Sequence, residues 1–375
     1  MILTNCAACA APLAHTAPRC VRCHTRYCNQ TCQHDHWRRG HKQMCKKIHR
    51  GGNAEQYHAD KKYKEAVAVA VEACADDTKG QTCYICTEAV HRHTKEGLVR
   101  MCACRGTAGF AHVSCLAEQA KILYAEAEEN NLERQPRWKR WDACSLCEQD
   151  YHGVVACALG WAAWKTYLGR SEEDNARVGA MHTLGNGLFS AGRSEEALSV
   201  EEANLATLRR VGAPEDTILA AMSNMASSYG ELGRLETAND VLRRVFRGFV
   251  VLNGVEADET LKASTNYAAT LKELGRFEEA KSLLRKMLPV ARRVCGEDDD
   301  HTVYMRRIYA ETLYKDTRAT RDDLIEAVTT LKELERTARR VLGGAHPTTQ
   351  GLEGYLSEAK LAFLLDPSTP SPRPE

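Results

Sequence analysis

The cysteines are the residues of this 375-residue chain whose type and spacing point most directly to chemistry. There are 17, and all except Cys295 lie within the first 157 residues. Many stand in pairs separated by two residues, a spacing at which a tight turn brings both sulfurs to about 2.3 Å from one tetrahedral zinc ion. The N-terminus MILTNCAACA lacks the pattern of a secretory signal, so we expect reduced thiols in the cytoplasm or nucleus rather than disulfides.

Residues 1–50 hold a first set of eight candidate ligands. Pairs separated by three residues lie on one face of a helical turn, and eight ligands are enough for two zinc ions. So short a segment cannot bury enough surface to fold without such a staple. Spacing establishes the pairs but not which pairs share an ion, and His36 competes with His41 as a ligand. The candidates are Cys6, Cys9, Cys20, Cys23, Cys28, Cys32, His41 and Cys45.

The order of these ligands, with Trp37 shortly before the His-x3-Cys pair, resembles the MYND finger. The resemblance favours His41 and implies an interleaved pairing. One zinc would be held by Cys6, Cys9, Cys28 and Cys32, and the other by Cys20, Cys23, His41 and Cys45. It also implies docking of short, often proline-containing peptides. MYND fingers occur in SET-domain methyltransferases too, but zinc ligands and helical repeats leave no room for a SET domain here, and we reject that function.

Residues 80–150 hold a second set of eight candidate ligands: Cys83, Cys86, Cys102, Cys104, His112, Cys115, Cys144 and Cys147. The CYIC opening, the CACRGTAGFAH core and the following SCL resemble the RING-CH, or RING-variant, domain. The resemblance implies a cross-braced arrangement. Cys83, Cys86, His112 and Cys115 would hold one ion, and Cys102, Cys104, Cys144 and Cys147 the other. The two sets together predict four Zn²⁺ ions per chain.

RING-type domains are ubiquitin ligases that position a ubiquitin-conjugating enzyme so that a substrate lysine attacks its thioester, an effect of proximity and orientation. The resemblance implies that Ile85 and Leu146 form the apolar platform for that enzyme; alternatively, both pack against their own zinc loops. Three features depart from the family. Gln119 replaces a usual tryptophan, Glu148 stands where active domains often carry a cation that contacts ubiquitin, and the stretch 115–144 is long. Trp138 or Trp141 could fold back to replace the missing tryptophan.

The second half of the chain contains helical repeats. AGRSEEA, LGRLETA and LGRFEEA recur with steps of 41 and 42 residues between the alanines at 197, 238 and 280. A small residue precedes each alanine by twelve positions, which lets two antiparallel helices approach closely. A fourth unit has a longer turn, which makes Ala327 its expected alanine. The pattern predicts a stacked helical solenoid and resembles the tetratricopeptide repeats (TPR) of kinesin light chains. Pro289 falls inside a predicted helix and should kink or end it.

The first helix of each repeat is expected to line a concave ligand groove. Asn224 and Asn266 occupy equivalent positions where such repeats often hydrogen-bond a peptide backbone. Lys262, Lys272 and Arg306 could add charge selection. For every one of these residues, the alternative is an ordinary solvated helix face.

The predicted fold is mainly α, with two small cross-braced zinc-binding domains followed by a TPR-like solenoid. The expected boundaries are a zinc finger at 1–50, a helical linker at 51–79, the RING-CH domain at 80–150, the repeats at 151–365 and a disordered proline-rich tail at 366–375. Residues 53–75 should be helical, although the alternation AVAVAV at 66–71 could form a strand. Cys74, Cys157 and Cys295 are expected to be small buried apolar residues.

Charge and hydropathy exclude some functions. The formal net charge of +1 argues against a dedicated nucleic-acid binder, although residues 1–50 carry nine basic groups and one acidic group, which would suit an acidic partner. The longest nearly apolar run, 153–164, is too short to span a membrane. Two functions remain: a RING-CH ubiquitin ligase whose finger and repeats recruit substrates, or a non-catalytic zinc-dependent scaffold. The combination of modules resembles an expanded algal family.

Overall fold

The computed structural model describes residues 5–11, 13–14 and 16–365, and the chain forms two compact units, Met1–Ala213 and Pro214–Glu375. Regular structure in the described residues is helical, with isolated bridges such as Val99↔Ala111, which confirms the mainly α fold class. The predicted tail at 366–375 lies outside the described residues. None of the helices in the described ranges is long and apolar enough to cross a membrane.

The helices of the first unit surround and follow the cysteine-rich segments. A π-helical segment, Trp37–His41, joins α1 to α2, and a 3-10 turn, Lys139–Trp141, follows α5. The helices are α1 (Gln30–His36), α2 (Lys42–Arg50), α3 (Ala54–Ala73), α4 (Val113–Glu129), α5 (Gln135–Trp138), α6 (Gly153–Tyr167), α7 (Asn175–Ser190) and α8 (Ser194–Val211).

Helix α6 is the centre of the first unit because it is apolar on nearly every side. Ten of its residues are buried, among them Trp161 and Trp164. An α-helix that is hydrophobic all round must be covered on all sides. Helices α3, α4 and α7 pack against it, and one continuous hydrophobic core runs from Ala59 on α3 through the second cysteine-rich segment to Val200 on α8.

The AVAVAV sequence lies in helix α3, as the flanking helix formers predict, and not in a strand. The Asn53 side chain begins the helix by accepting a hydrogen bond from the Gln56 N–H at 2.9 Å. Tyr63, Ala66 and Val67 are buried, and the Lys165 ammonium of α6 lies 4.2 Å from the centre of the Tyr63 ring.

The second unit continues the helical repeats. Each small residue predicted between paired helices is buried, from Ala226 to Ala327, which is less than 2 % exposed as expected for the fourth repeat. Gly254 ends α10 with a φ of +80°, a conformation that favours glycine. The helices are α9 (Glu215–Glu231), α10 (Leu235–Asn253), α11 (Asp258–Glu273), α12 (Phe277–Val294), α13 (Asp300–Lys315), α14 (Arg321–Val341) and α15 (Pro347–Leu365).

Pro289 does not end its helix early, contrary to one of the two outcomes expected for it. Helix α12 continues past Pro289 to Val294. The residues around the proline explain why: Leu284, Met287, Leu288 and Ala291 are all buried against the neighbouring repeats, and this packing outweighs one lost backbone hydrogen bond.

Two basic residues expected to select charged ligands are instead paired within the second unit. Lys272 of α11 is buried, with its ammonium 2.5 Å from the buried Glu311 carboxylate of α13. Burial is the largest single influence and lowers the pKa of Lys272, but the contacts with Glu311 and Glu273 together outweigh it and leave the pKa raised. Arg306 lies within 2.8 Å of Glu297 and 2.7 Å of Glu333. The expectation of charge selection was wrong for both, since their charges are already compensated.

Helices α6 and α7 are held unusually close by two glycines. A Cβ atom added at Gly187 would lie 2.5 Å from the Ala156 carbonyl oxygen, and one at Gly160 would lie 2.9 Å from the Leu184 Cα atom. Both obstacles are backbone atoms, which cannot rotate away. Any side chain at these positions must therefore push the helices apart.

We predict that Gly187→Ala destabilises the first unit by about 1–3 kcal/mol, the usual cost of overpacking. All five tryptophans lie at or before position 164, so urea unfolding followed by tryptophan fluorescence reports on this unit alone. Gly169→Ala is the matched control, because nothing lies within 4 Å of the added Cβ atom and the backbone there is ordinary. Equal midpoints for the two variants would contradict the close approach of α6 and α7.

Candidate metal centres

The sixteen candidate ligands come together in four groups of four, and within each group all ligand atoms lie within 4.8 Å of one another. Their membership matches the interleaved and cross-braced pairings that the resemblances implied. The groups are Cys6, Cys9, Cys28 and Cys32; Cys20, Cys23, His41 and Cys45; Cys83, Cys86, His112 and Cys115; and Cys102, Cys104, Cys144 and Cys147.

The structure separates His41 from its competitor His36. His41 is buried and its Nε2 atom lies 3.3 Å from the Cys23 sulfur. The Nδ1 atom of His36 instead meets the Tyr27 hydroxyl at 3.0 Å, and the two imidazole rings stack with centroids 4.7 Å apart. His36 therefore stacks against the ring of the candidate ligand His41, while its own Nδ1 atom contacts Tyr27.

The four Cys-x2-Cys pairs share one loop geometry. After the second cysteine of each pair, the residue has a φ between +58° and +63°, and its N–H donates to the carbonyl of the first cysteine at 2.8–3.0 Å. These residues are Ala10, His24, Thr87 and Glu148. In the two later loops, backbone N–H groups also point at the first sulfur, from Ile85 to Cys83 at 3.4 Å and from Leu146 to Cys144 at 3.5 Å. Such loops stabilise a thiolate.

A fifth loop has the same backbone without cysteines. The His91 N–H donates to the Glu96 carbonyl, the Lys95 N–H donates to the His91 carbonyl, both at 3.0 Å, and Lys95 has a φ of +61°. The His91 ring lies against His112, with centroids 5.2 Å apart. Sequence reasoning missed this loop because it has no ligand pair.

The crowding of sulfurs shifts their pKa values strongly. A hydrogen bond from the Cys102 thiol lowers the pKa of Cys144 to about 4, although burial acts in the opposite direction. In the first finger, hydrogen bonds with Cys9 and Cys6 raise the pKa of Cys28 to about 12. Four such sulfurs cannot all ionise beside one another unless a cation neutralises them. Sets of four sulfurs, or of three sulfurs and one imidazole, are those that tetrahedral structural zinc takes, so these residues fit zinc.

Gly109 is a functional residue that sequence reasoning missed. Its φ is +84°, and an added Cβ atom would lie 2.6 Å from Cys104 Cβ and 3.4 Å from the Cys102 sulfur. The backbone therefore passes directly over one ligand group at a point where a side chain has no room. The signal was present in the sequence as the second of the two glycines in the CACRGTAGFAH core.

In the second set of candidate ligands, the Cys83–Cys86 loop and the Cys144–Cys147 loop lie next to each other. The Tyr84 hydroxyl, in the loop of Cys83 and Cys86, lies 3.0 Å from the Ser145 hydroxyl in the loop of Cys144 and Cys147. Ile85 and Leu146 are the next residues in each loop, and they are 36 % and 51 % exposed. Neither is buried against its own loop.

The segment between Cys115 and Cys144 folds back onto the helices around α6. Trp141 is buried, and Trp138 meets the Tyr124 ring of α4 with centroids 5.1 Å apart and the Tyr167 ring of α6 at 5.3 Å. The Trp138 indole N–H donates to the Thr183 hydroxyl of α7 at 3.2 Å. Gln119, which replaces the family's tryptophan, is half-buried on α4.

Asn224 and Asn266 lie on neighbouring first helices, α9 and α11, and both are half-buried. The Asn266 amide donates to the Ser223 hydroxyl of α9 at 3.3 Å, so this side chain joins two repeats. Among the other cysteines, Cys74 and Cys157 are buried as expected, while Cys295 is partly exposed.

Comparison with known proteins agrees with part of this picture. Residues 83–147 match the RING-variant domain, and residues 260–302 match the tetratricopeptide repeat. These matches confirm the predictions of a RING-variant domain and of tetratricopeptide repeats. No curated protein matches the chain.

Solved structures with similar helical repeats include TPR-like repeats of a kinesin-light-chain candidate from Podosopora anserina, with 17 % identity, a TM-score of 0.37 and coverage of 61 % of this chain and 97 % of that one. Another is BtubC (BKLC) from P. vanneervenii, with 15 % identity, a TM-score of 0.38 and coverage of 70 % and 94 %. The apo form of RapI matches with 11 % identity, a TM-score of 0.41 and coverage of 67 % and 84 %. The likeness concerns the repeat fold alone.

We predict four zinc ions per chain in protein purified under reducing conditions, measured by inductively coupled plasma mass spectrometry. Cys9→Ser should lower the content to about three, because a structural site needs all four ligands. Cys74→Ser is the matched control: this cysteine is buried but lies outside all four groups, so its loss should leave the zinc content unchanged. A wild-type value near two would mean that one set does not bind zinc.

Proposed function

We propose that this protein is a RING-variant ubiquitin ligase that positions a ubiquitin-conjugating enzyme. The observation that carries the proposal is the exposed pair Ile85 and Leu146, on adjacent loops that the Tyr84–Ser145 hydrogen bond holds together. Exposed apolar side chains on rigid neighbouring loops are suited to docking a partner surface. A conjugating enzyme docked on these loops would bury both side chains.

The chemistry of such a ligase requires no nucleophile of its own. In the second cysteine-rich segment, every thiol of residues 80–150 lies in one of two ligand groups. Catalysis would come from holding the thioester of the conjugating enzyme close to a substrate lysine. Zinc, when bound, would supply the cross-links that keep the loops rigid, and the protein residues would supply the docking surface.

Arg140 pairs with Glu148, the acidic residue that departs from the family pattern after the last cysteine. Arg140 reaches back from the long segment and places its guanidinium 3.0 Å from the Glu148 carboxylate, while a second nitrogen donates to the Cys144 carbonyl at 3.3 Å. A cation therefore stands beside the last zinc loop even though residue 148 is acidic. The acidic charge of Glu148 is therefore compensated within the chain.

We further propose that residues 1–50 form a MYND-type finger and that this finger and the repeats recruit protein or peptide ligands. Trp37 and Met44 are each about 40 % exposed beside basic residues of α2, which offers apolar contact together with positive charge. An acidic, proline-containing peptide suits this surface. Reduced zinc-binding thiols fit the cytoplasm or nucleus. Nucleic acid is not the expected partner.

A non-catalytic scaffold is the second candidate. The Arg140–Glu148 contact favours it, because one Arg140 nitrogen donates to both Glu148 oxygens and another to the Cys144 carbonyl, which leaves the guanidinium fewer donors for ubiquitin. In that case all modules would bind proteins and no ubiquitin would be transferred.

We predict that the zinc-loaded protein accelerates ubiquitin discharge from at least one conjugating enzyme in a panel, and that Ile85→Ala or Leu146→Ala slows discharge by tenfold or more. Removing an apolar anchor from the centre of an interface commonly costs more than 1 kcal/mol. Ile122→Ala is the matched control: Ile122 is 48 % exposed but lies on α4, away from both loops.

The readout is lysine discharge followed by gel electrophoresis, with zinc content measured for every variant. Absence of discharge with every conjugating enzyme, at four zinc ions per chain, would reject the ligase and leave the scaffold. Equal loss in all three variants would place the docking surface elsewhere.

A further inference from the structure

A groove of about 880 Å³ lies in the second unit between α10 and α12, the second helices of two neighbouring repeats. Its lining includes the rings of Phe246 and Tyr267, which stack with centroids 6.3 Å apart, and the buried side chains of Leu271 and Met287. The volume is in the range of pockets that bind ligands. The other apolar side chains of the lining are Val250, Val251, Val255, Leu283 and Val290.

The apolar residues that α10 contributes to the groove replace arginines of the other repeats. In three repeats, the residues twelve and thirteen positions after the repeat alanine (positions 197, 280 and 327) are arginines. All six are exposed: Arg209, Arg210, Arg292, Arg293, Arg339 and Arg340. In the repeat of Ala238 the same positions hold Val250 and Val251, and Val251 is 84 % exposed. Valines therefore stand where the other repeats carry solvated arginines, and an exposed apolar surface of this kind marks an interaction site.

The charged residues of the lining leave positive charge available to a ligand. The carboxylates of Glu278 and Glu279 lie 2.6 Å and 2.7 Å from nitrogens of basic side chains in the same unit, so both are already paired. Arg247 on α10 and Lys286 on α12 are exposed, and among the residues that the structure describes neither side chain has an ion pair or hydrogen bond. Acidic groups of a ligand would therefore meet one free cation on each wall of the groove.

The walls of the groove determine which kind of ligand can bind. Both are α-helices, whose backbone N–H and C=O groups are bonded within each helix, so an extended peptide cannot add to them as a strand. A ligand must bind through side chains, as an amphipathic helix does when it lays its apolar face into a groove. A symmetric contact with a second copy of this chain would bring the same cations, Arg247 and Lys286, to one interface, which opposes self-association.

We propose that the groove between α10 and α12 binds an amphipathic helix of a partner protein, with acidic residues along the edges of its apolar face. The apolar face would cover Val251 and the neighbouring lining residues, and the acidic residues would pair with Arg247 and Lys286. This inference rests on the proposal that the repeats recruit protein ligands, and it does not depend on ligase activity. It places recruitment on the second helices of the repeats, away from Asn224 and Asn266 on the first helices.

The test uses the full zinc-loaded chain and a displayed library of helical peptides that have an apolar stripe at i, i+3, i+4 and i+7 and random flanking residues. Selected peptides should carry more acidic than basic flanking residues. Val251→Arg introduces the residue type of the other repeats at an exposed position, and should weaken the selected peptides about tenfold or more in fluorescence anisotropy. Ile325→Arg is the matched control, because Ile325 is an exposed apolar residue of α14 outside the groove lining and its change should leave binding unaltered.

A charge reversal tests the pairing separately from the apolar contact. Each selected peptide is compared with a version in which lysines replace its acidic flanking residues. The wild-type chain should prefer the acidic version about tenfold or more, and the double variant Arg247→Glu, Lys286→Glu should prefer the basic version. Circular dichroism confirms that each variant keeps the helix content of the wild-type chain.

Three results would overturn the proposal. The first is a library that yields no binder, and the second is a set of selected peptides that bind Val251→Arg as tightly as wild type, which would leave recruitment by another surface of the repeats intact. The third is a dimer in sedimentation velocity that Val251→Arg abolishes, since the occupant would then be a second copy of the chain. Discharge of ubiquitin to free lysine needs no recruited substrate, so the same assay on Val251→Arg reports on the ligase independently.

Discussion

The crowding of four ligand atoms into less than 5 Å, repeated four times, is the constraint on which the first 150 residues depend. Those residues have little other means of support: the first finger's buried residues are mostly the ligands themselves, with Tyr27, Ile48 and Ala54. Cross-bracing joins positions far apart in sequence, such as Cys102 and Cys147. Metal binding at such a group would be coupled to the local folding of its own loops, because the unfolded chain has no preformed site.

The RING-variant domain differs from an independent module in that its core is shared. Tyr124, Trp138 and Trp141 pack against Tyr167 of α6, and this aromatic cluster belongs to the same hydrophobic core as α3, α7 and α8. The orientation of the cysteine-containing loops relative to these helices is consequently fixed by packing. A boundary at residue 150, expected from the ligand pattern, separates residues that share this core.

The sequence predicted features that depend on local spacing and missed those that depend on tertiary contact. Ligand pairs, the period of the repeats and the buried alanines such as Ala327 follow from periodicity. The roles of Lys272 and Arg306 do not, because their partners Glu311 and Glu333 lie on other helices. The early helix end that was one of two outcomes expected at Pro289 does not occur for the same reason, since burial of its neighbours overrides a local helix-breaking tendency. His41 was favoured over His36 by a resemblance, and geometry separates them.

The long segment between Cys115 and Cys144 compensates for the other two departures from the RING-variant pattern, Gln119 and Glu148. Its extra length brings Trp138 and Trp141 to the aromatic core that Gln119 cannot supply, and it places Arg140 beside Glu148. The same segment places the Asp142 carbonyl where it accepts from the Tyr151 N–H, at the base of the Cys144–Cys147 loop. A shorter segment would lose the aromatic packing and the compensating cation together. One of the departures, the long segment, therefore supplies the residues that compensate for the other two.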